Sequence, residues 1–468
     1  MTDITTFSIS ELSRAYKSKE LSPVDVTKAY FQRISKYNES VNAFVTICEQ
    51  SALEEAAEAE REIISGTSRG PLHGIPIGHK DLYQTAGIRT TAGSKVLLNN
   101  IPETDATAVA RLKNAGVIML GKLNTHEFAY GPTNDSSVFG PCRNPWNQDY
   151  FSGGSSGGSG SAVALRLCVG ATGSDTGGSI RMPAACCGVT GLKPTYGSSS
   201  RAGIYPLCWT MDHAGPLARS VEDIAFLFQP LVGPDGRDIS VVEHDFPDMR
   251  SQFSRDLKGL KIGIPDRYFY DQSQPEVESA VHDAIATLVE LGAEVKHVDI
   301  PHIEYAAAAA MVLYLSEGTA YHDDDIGNKA ELYTDQVRLF LELGNYVLAK
   351  DYLHAQRFRT LLGQSMADAL REVDVLATPT MPITAQRLGQ EFVDIRGQNE
   401  SVFGALLRNT EPFDLTGLPA LVMPCGIAEN KMPISLQIAG RPYDEARLLR
   451  VGHSFQQSTN WHKACPSE

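Results

Sequence analysis

Between residue 71 and about residue 230, short apolar runs alternate with amphipathic segments, and this alternation constrains the fold more than any other feature. Residues 74–78 and 117–121 have the texture of strands, and residues 106–115 that of a helix between them. The pattern returns later, with strands predicted at 260–265, 294–300, 373–379, 421–424 and 434–438 and helices at 276–291 and 444–456. Strands separated by helices predict an α/β sheet with helices packed on it.

The chain has no internal repeat and no long linker, so a single large domain over residues 1–468 is predicted. Within it, residues 1–70 are expected to form N-terminal helices and residues 70–230 the core. Residues 305–372 are strongly helical and are predicted to form an excursion on the substrate side. Residues 373–468 then supply strands and a helix that complete the sheet.

Charge and cysteine usage exclude several classes of protein. The net charge is −15 and no Lys/Arg-rich block occurs, which argues against a nucleic-acid or membrane-surface partner. The eight cysteines form no C-x-x-C pair and lie mostly in apolar stretches, as is typical of a reducing compartment. With no apolar leader and no run of 18 apolar residues, we predict a cytoplasmic protein that does not span a membrane.

Residues 153–161 read GGSSGGSGS, and their composition alone is that of a flexible linker. However, this run leads directly into the apolar helix predicted at 162–169, and glycines beside a buried helix usually permit close approach or unusual backbone angles. The stretch also matches G-x-S-x-G, but a nucleophile elbow needs an apolar strand just before the serine. Residues 144–152 (NPWNQDYFS) do not supply one.

A second segment, residues 173–181 (GSDTGGSIR), places Ser179 after two glycines and at the start of a helical segment. The backbone N–H groups of residues 176–179 are expected to converge beside the Ser179 hydroxyl, as donors to an oxyanion must. A serine at this place is also a common helix cap. A cap does not require two preceding glycines, so a nucleophile is the favoured interpretation.

A third segment, residues 73–82 (HGIPIGHKDL), places Lys80 at the end of an apolar strand. Burial lowers the pKa of a lysine from its usual value of about 10.4 toward the range of about 7 to 8 that suits a general base. A surface lysine paired with Asp81 is the alternative. His79, on the opposite side of the strand, is expected to be structural.

Together these three segments resemble the amidase signature family. Residues 140–146 (GPCRNPW) and 188–195 (GVTGLKPT) also resemble family motifs, and the similarity is strongest over residues 70–220. The resemblance implies a central twisted mixed β-sheet with helices on both faces and no metal or cofactor. It further implies that the peptide bond Gly154–Ser155 is cis.

The roles implied by the resemblance are assigned residue by residue. Lys80 is the base, Ser155 the bridging serine and Ser179 the nucleophile that forms the acyl-enzyme. Oxyanion donors come from Thr176, Gly177 and Gly178, and supporting roles fall to Ser156, which is expected to hydrogen-bond Lys80, and to Asp175 and Arg181. The substrate is expected to contact Ala129, Tyr130 and Gly131.

The resemblance implies hydrolysis of an amide carbon–nitrogen bond, and a stand-alone amidase acting on a small molecule is favoured. Walls from residues 128–131, 204–205 and 305–372 suit an aryl or alkyl acyl group, and equally a plain core. The alternatives are the glutaminase subunit of an amidotransferase complex and an amidase for a urea-like or carboxybiuret-like substrate. A non-catalytic scaffold and a cysteine hydrolase are disfavoured, and formation of a homodimer is left open.

Overall fold

The computed structural model describes residues 3–466. The α-helices in this range are α1 (Ile9–Ser18), α2 (Pro23–Val41), α3 (Glu49–Ser65), α4 (Thr107–Asn114), α5 (Gly157–Ala164), α6 (Arg181–Cys187), α7 (Val221–Phe228), α8 (Pro275–Glu290), α9 (Ala306–Lys329), α10 (Asp335–Gly344), α11 (Ala349–Glu372), α12 (Val402–Arg408), α13 (Glu411–Leu415) and α14 (Glu445–Ser458). The helices predicted over the N-terminal part are confirmed. Ser8 and Glu11 form a capping box on α1, and Pro23 occupies the first turn of α2.

The strands in the same range are β1 (Phe44–Ile47), β2 (Pro76–Lys80), β3 (Ile118–Leu123), β4 (Arg143–Asn144), β5 (Asn147–Phe151), β6 (Gly170–Asp175), β7 (Thr190–Lys193), β8 (His213–Ala218), β9 (Lys261–Pro265), β10 (Glu294–Val298), β11 (Val375–Pro379), β12 (Phe392–Ile395), β13 (Gln398–Ser401), β14 (Ala420–Ile427) and β15 (Pro433–Gly440). Eleven of them form one sheet in the order β1-β3-β2-β6-β8-β7-β14-β15-β11-β9-β10. The pairs β4–β5 and β12–β13 form separate two-stranded sheets.

The large sheet is mixed, as predicted. Strand β2 runs parallel to β3 and β6, and β9 runs parallel to β10 and β11. The strands between these two parallel groups are antiparallel to their neighbours. Every residue of β2, β6, β8 and β15 is buried, and alternate side chains of a strand face opposite sides. Both faces of the sheet are therefore covered.

Two elements, β1 and α5, differ from the sequence prediction. Helix α5 covers Gly157–Ala164, where a helix over residues 162–169 was predicted. Strand β1 lies inside a region predicted to be helical, where it pairs with the edge of β3. The segment before Ser155 forms β5, whose first four residues are partly or largely exposed, so no core strand leads into this serine. The nucleophile-elbow interpretation is therefore wrong for residues 153–157.

Helices α9, α10 and α11 form the predicted helical excursion. Gly344 lets α10 approach α9 closely, because a Cβ there would lie 2.7 Å from Thr319 Cβ. No helix within residues 3–466 is long and apolar enough to cross a lipid bilayer. The cysteines are free thiols, and all except Cys465 are buried, as their apolar surroundings predict.

Candidate active site

The candidate site lies where β2 and β6 end. These strands are parallel neighbours, so their carboxyl ends meet at one edge of the sheet. Lys80 is the last residue of β2, and Asp175 is the last residue of β6, followed directly by the turn that carries Ser179. Strand ends at such an edge are a frequent location for ligands in α/β sheets.

Lys80 is fully buried, so the alternative interpretation, a surface lysine paired with Asp81, is wrong. Its Nζ donates to Ser155 Oγ at 2.6 Å and to Ser174 Oγ at 2.9 Å. Burial lowers the pKa of Lys80 well below its usual value of 10.5, and the carboxylates of Asp175 and Asp212 oppose this shift only in part. An uncharged amine at neutral pH is a proton acceptor, as a general base must be.

The second hydroxyl on Lys80 differs from the prediction. Ser156 was expected to hold the amine, but its Oγ donates to the carbonyl of Ser174 at 3.3 Å instead. Ser174 projects from β6 toward Lys80, and its hydroxyl forms the hydrogen bond with the amine that was predicted for Ser156. The sequence signal was weak, because Ser174 was one polar residue among several in residues 173–181.

The glycine-serine run is buried and closely packed, so it is not a linker. A Cβ on Gly160 would lie 2.8 Å from the Pro183 carbonyl oxygen, so this glycine lets α5 approach α6. The peptide bond Gly154–Ser155 is cis, as the resemblance implied. The backbone N–H of Ser156 donates to the Ser179 carbonyl at 3.3 Å, which joins this run to the turn that carries the candidate nucleophile.

Asp175 organises the turn that carries Ser179. Its carboxylate accepts the N–H groups of Gly178 at 2.7 Å and of Ile180 at 3.0 Å, and it pairs with Arg181 at 2.9 Å. Burial favours the neutral acid, but the Arg181 guanidinium outweighs it and holds the pKa of Asp175 below its usual value. Because the Gly178 N–H donates to the Asp175 carboxylate, it is not free to donate to an oxyanion, and the prediction for Gly178 is wrong.

The remaining predicted oxyanion donors are Thr176 and Gly177. Their N–H groups have no hydrogen-bond partner among residues 3–466. The Thr176 hydroxyl donates to Asp212 Oδ1 at 2.6 Å, and Asp212 also accepts the N–H of Leu207 at 3.0 Å. Burial raises the pKa of Asp212 to about 6, despite these hydrogen bonds. Asp212 thus ties the turn to the segment that begins at Leu207.

A small cleft opens beside Ser179. The predicted substrate residues Ala129, Tyr130 and Gly131 line it, and so do Thr176 and Gly177. Its other walls are Pro132, Met182, Leu207, Tyr314, Phe340, Phe403 and Leu407, which sequence reasoning named only in part. The segment containing Ile204 and Tyr205 lines an adjoining cavity. None of the described residues that line the cleft carries a formal charge.

Arg181 anchors the site to the C-terminal part of the chain. It is fully buried and donates to the Thr410 carbonyl at 2.9 Å, to Gln437 Oε1 at 2.8 Å and to Asp414 at 2.5 Å. These contacts satisfy a charge that would otherwise be costly to bury.

Burial of Lys80 predicts a pH-dependent difference in stability between the wild type and Lys80→Met. The unfolded chain titrates this amine near 10.5, whereas the folded pKa is lowered, so between the two values the unfolded chain binds more protons. This group therefore makes the wild-type free energy of unfolding rise with pH, by about 1.4 kcal/mol per pH unit, and Lys80→Met lacks that contribution. Urea unfolding of both proteins from pH 7.5 to 9.5 measures the difference, and parallel pH dependences would contradict it.

The chain belongs to the amidase signature family, because the family model described as Amidase matches residues 25–449. It is therefore a hydrolase of amide carbon–nitrogen bonds. A glutamyl-tRNA(Gln) amidotransferase subunit from Geobacter sp. (strain M21) is 39% identical to it over 98% of this chain and 99% of the relative.

Two solved structures support the family assignment. One is described as an unexpected vestigial protein complex that reveals the evolutionary origins of an s-triazine catabolic enzyme; it has 35% identity and a TM-score of 0.93, over 97% of this chain and 98% of that one. The other, a bacterial aryl acylamidase of the amidase signature family, has 26% identity and a TM-score of 0.89, over 98% of both chains.

Proposed function

We propose that this amidase cleaves a small amide with an uncharged aryl or alkyl acyl group, through an acyl-enzyme on Ser179. The observation that carries the proposal is the uncharged cleft beside Ser179, next to the Lys80–Ser155 pair. An apolar acyl group would bury its surface there, whereas a charged group would lose water without gaining a partner.

In the proposed mechanism, neutral Lys80 accepts a proton from Ser155, and Ser155 accepts one from Ser179. The Ser179 alkoxide attacks the amide carbon, and the N–H groups of Thr176 and Gly177 stabilise the tetrahedral oxyanion. The proton returns along the same route to the leaving amine. Water then attacks the acyl-enzyme, the relay acts as base again, and the carboxylic acid leaves with Ser179 restored.

One step requires a small movement. Within residues 3–466, no hydrogen bond joins the side chains of Ser155 and Ser179. Catalytic hydrogen bonds are often long before substrate binds. Rotation of the Ser179 side chain would bring its hydroxyl toward Ser155, since the Ser156–Ser179 backbone hydrogen bond already joins the two segments.

A glutaminase role within an amidotransferase complex is the second candidate, favoured by the 39% identity to the Geobacter amidotransferase chain. Free glutamine carries an ammonium and a carboxylate; the described walls of the cleft offer no charged partner for either, and the charged side chains of Arg201 and Asp212 line the adjoining cavity. A urea-like substrate is the third candidate, suggested by the structural similarity to the complex linked to an s-triazine catabolic enzyme.

The test is a panel of acetamide, hexanamide, phenylacetamide, glutamine and biuret, each assayed for ammonia release by the purified chain alone. We expect hexanamide and phenylacetamide to be cleaved with higher kcat/KM than glutamine or biuret. Preferential cleavage of glutamine would favour the glutaminase, and preferential cleavage of biuret the urea-like substrate.

A further inference from the structure

Two residues of α9, Tyr314 and Gly318, lie on the same face of the helix, which is turned toward the site. Tyr314 and Gly318 are four residues apart and so lie above one another on the helix. The Tyr314 hydroxyl donates to the Thr176 carbonyl at 3.4 Å and lines the cleft. Gly318 lies behind the cleft wall, where the Tyr130 side chain packs against it.

The contact between Gly318 and Tyr130 leaves no room for a side chain on the helix. A Cβ at position 318 would overlap Tyr130 Oη and lie 2.6 Å from Tyr130 Cζ. Real Cβ atoms do not approach another atom so closely, so Tyr130 holds this position only because residue 318 is glycine.

Packing alone holds the Tyr130 hydroxyl. It is buried and has no hydrogen-bond partner in the part of the chain that the structure describes. Buried hydroxyls normally have partners, so this one calls for an explanation. The loop before it is unusual too, because Phe128 and Ala129 have φ values of 47° and 65°, a region that residues other than glycine seldom adopt.

We infer that Gly318 determines which acyl groups this amidase accepts. The missing side chain lets Tyr130 lie back against α9, and the position of its ring sets the width of the cleft beside Ser179. With a side chain at residue 318, the ring would have to move, and the cleft is the open space beside it. The preferred substrates are amides whose acyl group would not fit the cleft if the Tyr130 ring were displaced from α9 into it. This inference rests on the proposed function.

Gly318→Ala tests the inference through a change in preference. The ratio of kcat/KM for phenylacetamide to that for acetamide is expected to fall at least about tenfold, since a change of one methyl group in a packed pocket shifts discrimination by about 10- to 200-fold. Gly327→Ala is the matched control, because Gly327 lies on the same helix and nothing stands within 4 Å of its added Cβ. The control is expected to keep the wild-type ratio.

Rescue identifies Tyr130 as the mediator. In the Gly318→Ala background, Tyr130→Ala removes the ring and is expected to restore cleavage of phenylacetamide. Tyr130→Phe removes the overlap with Oη but leaves the ring carbon at 2.6 Å from the new Cβ, so only partial recovery is expected. Non-additivity in this double-mutant cycle measures the coupling between residues 318 and 130. If Gly318→Ala fails to fold, the test is Tyr130→Ala in the wild-type background. This variant must raise the ratio of kcat/KM for phenylacetamide to that for acetamide, and an unchanged ratio would overturn the inference.

A second measurement separates this inference from the proposed function. Alkyl fluorophosphonates with short and long chains label activated serines, and intact mass with peptide mapping reports labelling of Ser179. If the wild type cleaves no amide in a Ser179-dependent way and is not labelled there, the proposed function fails and this inference with it. If the wild type is active but Gly318→Ala lowers all substrates equally, or changes nothing, only the inference is overturned.

Discussion

Ser179→Ala is expected to abolish amide hydrolysis, with a fall in kcat of roughly 10⁶-fold, the scale seen when a serine nucleophile is removed from a hydrolase. The hydroxyl is the only group at the end of the cleft that the mechanism uses to form the acyl-enzyme. The measurement is ammonia release from phenylacetamide, with circular dichroism to confirm folding.

The matched control is Ser198→Ala. Ser198 is also buried and donates one hydrogen bond, to the Thr195 carbonyl at 2.8 Å. Its loss should lower stability by about 1 kcal/mol and leave kcat within a fewfold of wild type. Full activity of Ser179→Ala on any amide that the wild type cleaves would overturn the mechanism.

Lys80→Met is expected to lower kcat/KM by roughly 10²- to 10⁴-fold, the usual contribution of a general base. The thioether has nearly the length of the lysine side chain, so packing is kept while the proton acceptor is lost. Because burial lowers the pKa of Lys80, the wild type should keep its neutral base at pH values well below 10.5 and lose activity in acid. Lys80→Met should lack this acid limb.

The measurement is kcat/KM from pH 5 to 9 for both proteins. Lys122→Met is an informative comparison, because Lys122 is also fully buried, its pKa is lowered by burial to about 8, and its Nζ donates to Thr90 Oγ1 at 2.9 Å rather than to a serine of the site. Its substitution should affect stability more than the pH profile. A flat wild-type response from pH 6 to 9 would count against lysine as the base.

The positions that sequence reasoning located well are those where the residue type and its neighbours together limit the geometry. Lys80 ends an apolar strand, and the glycines around Ser155 and Ser179 have few uses other than close backbone approach. These motifs carried the resemblance, which implied that Lys80, Ser155 and Ser179 act together, and the structure brings Lys80 and Ser155 into contact.

Other features depend on pairing in three dimensions and leave little trace in the sequence. Whether Ser174 or Ser156 bonds Lys80 depends on the pairing of β6 with β2, which turns Ser174 toward the amine, and on the path of the chain after Ser155, which turns Ser156 toward the Ser174 carbonyl. The Gly178 N–H has two candidate acceptors, an oxyanion or Asp175, and only the turn geometry decides between them. Strand β1 is four residues long and pairs at an edge, so local helical patterns concealed it.

The long reach of Arg181 has a consequence for how the enzyme is made. Its partners Thr410, Asp414 and Gln437 lie 229 to 256 residues further along the chain, and β14 and β15 fill the centre of the sheet between β7 and β11. Contacts so distant in sequence form late, and synthesis proceeds from the N-terminus. On the ribosome, the segment with the three candidate catalytic residues is therefore synthesised long before the residues that bind Arg181. The nascent chain acquires its fully braced site only once its last two sheet strands have emerged.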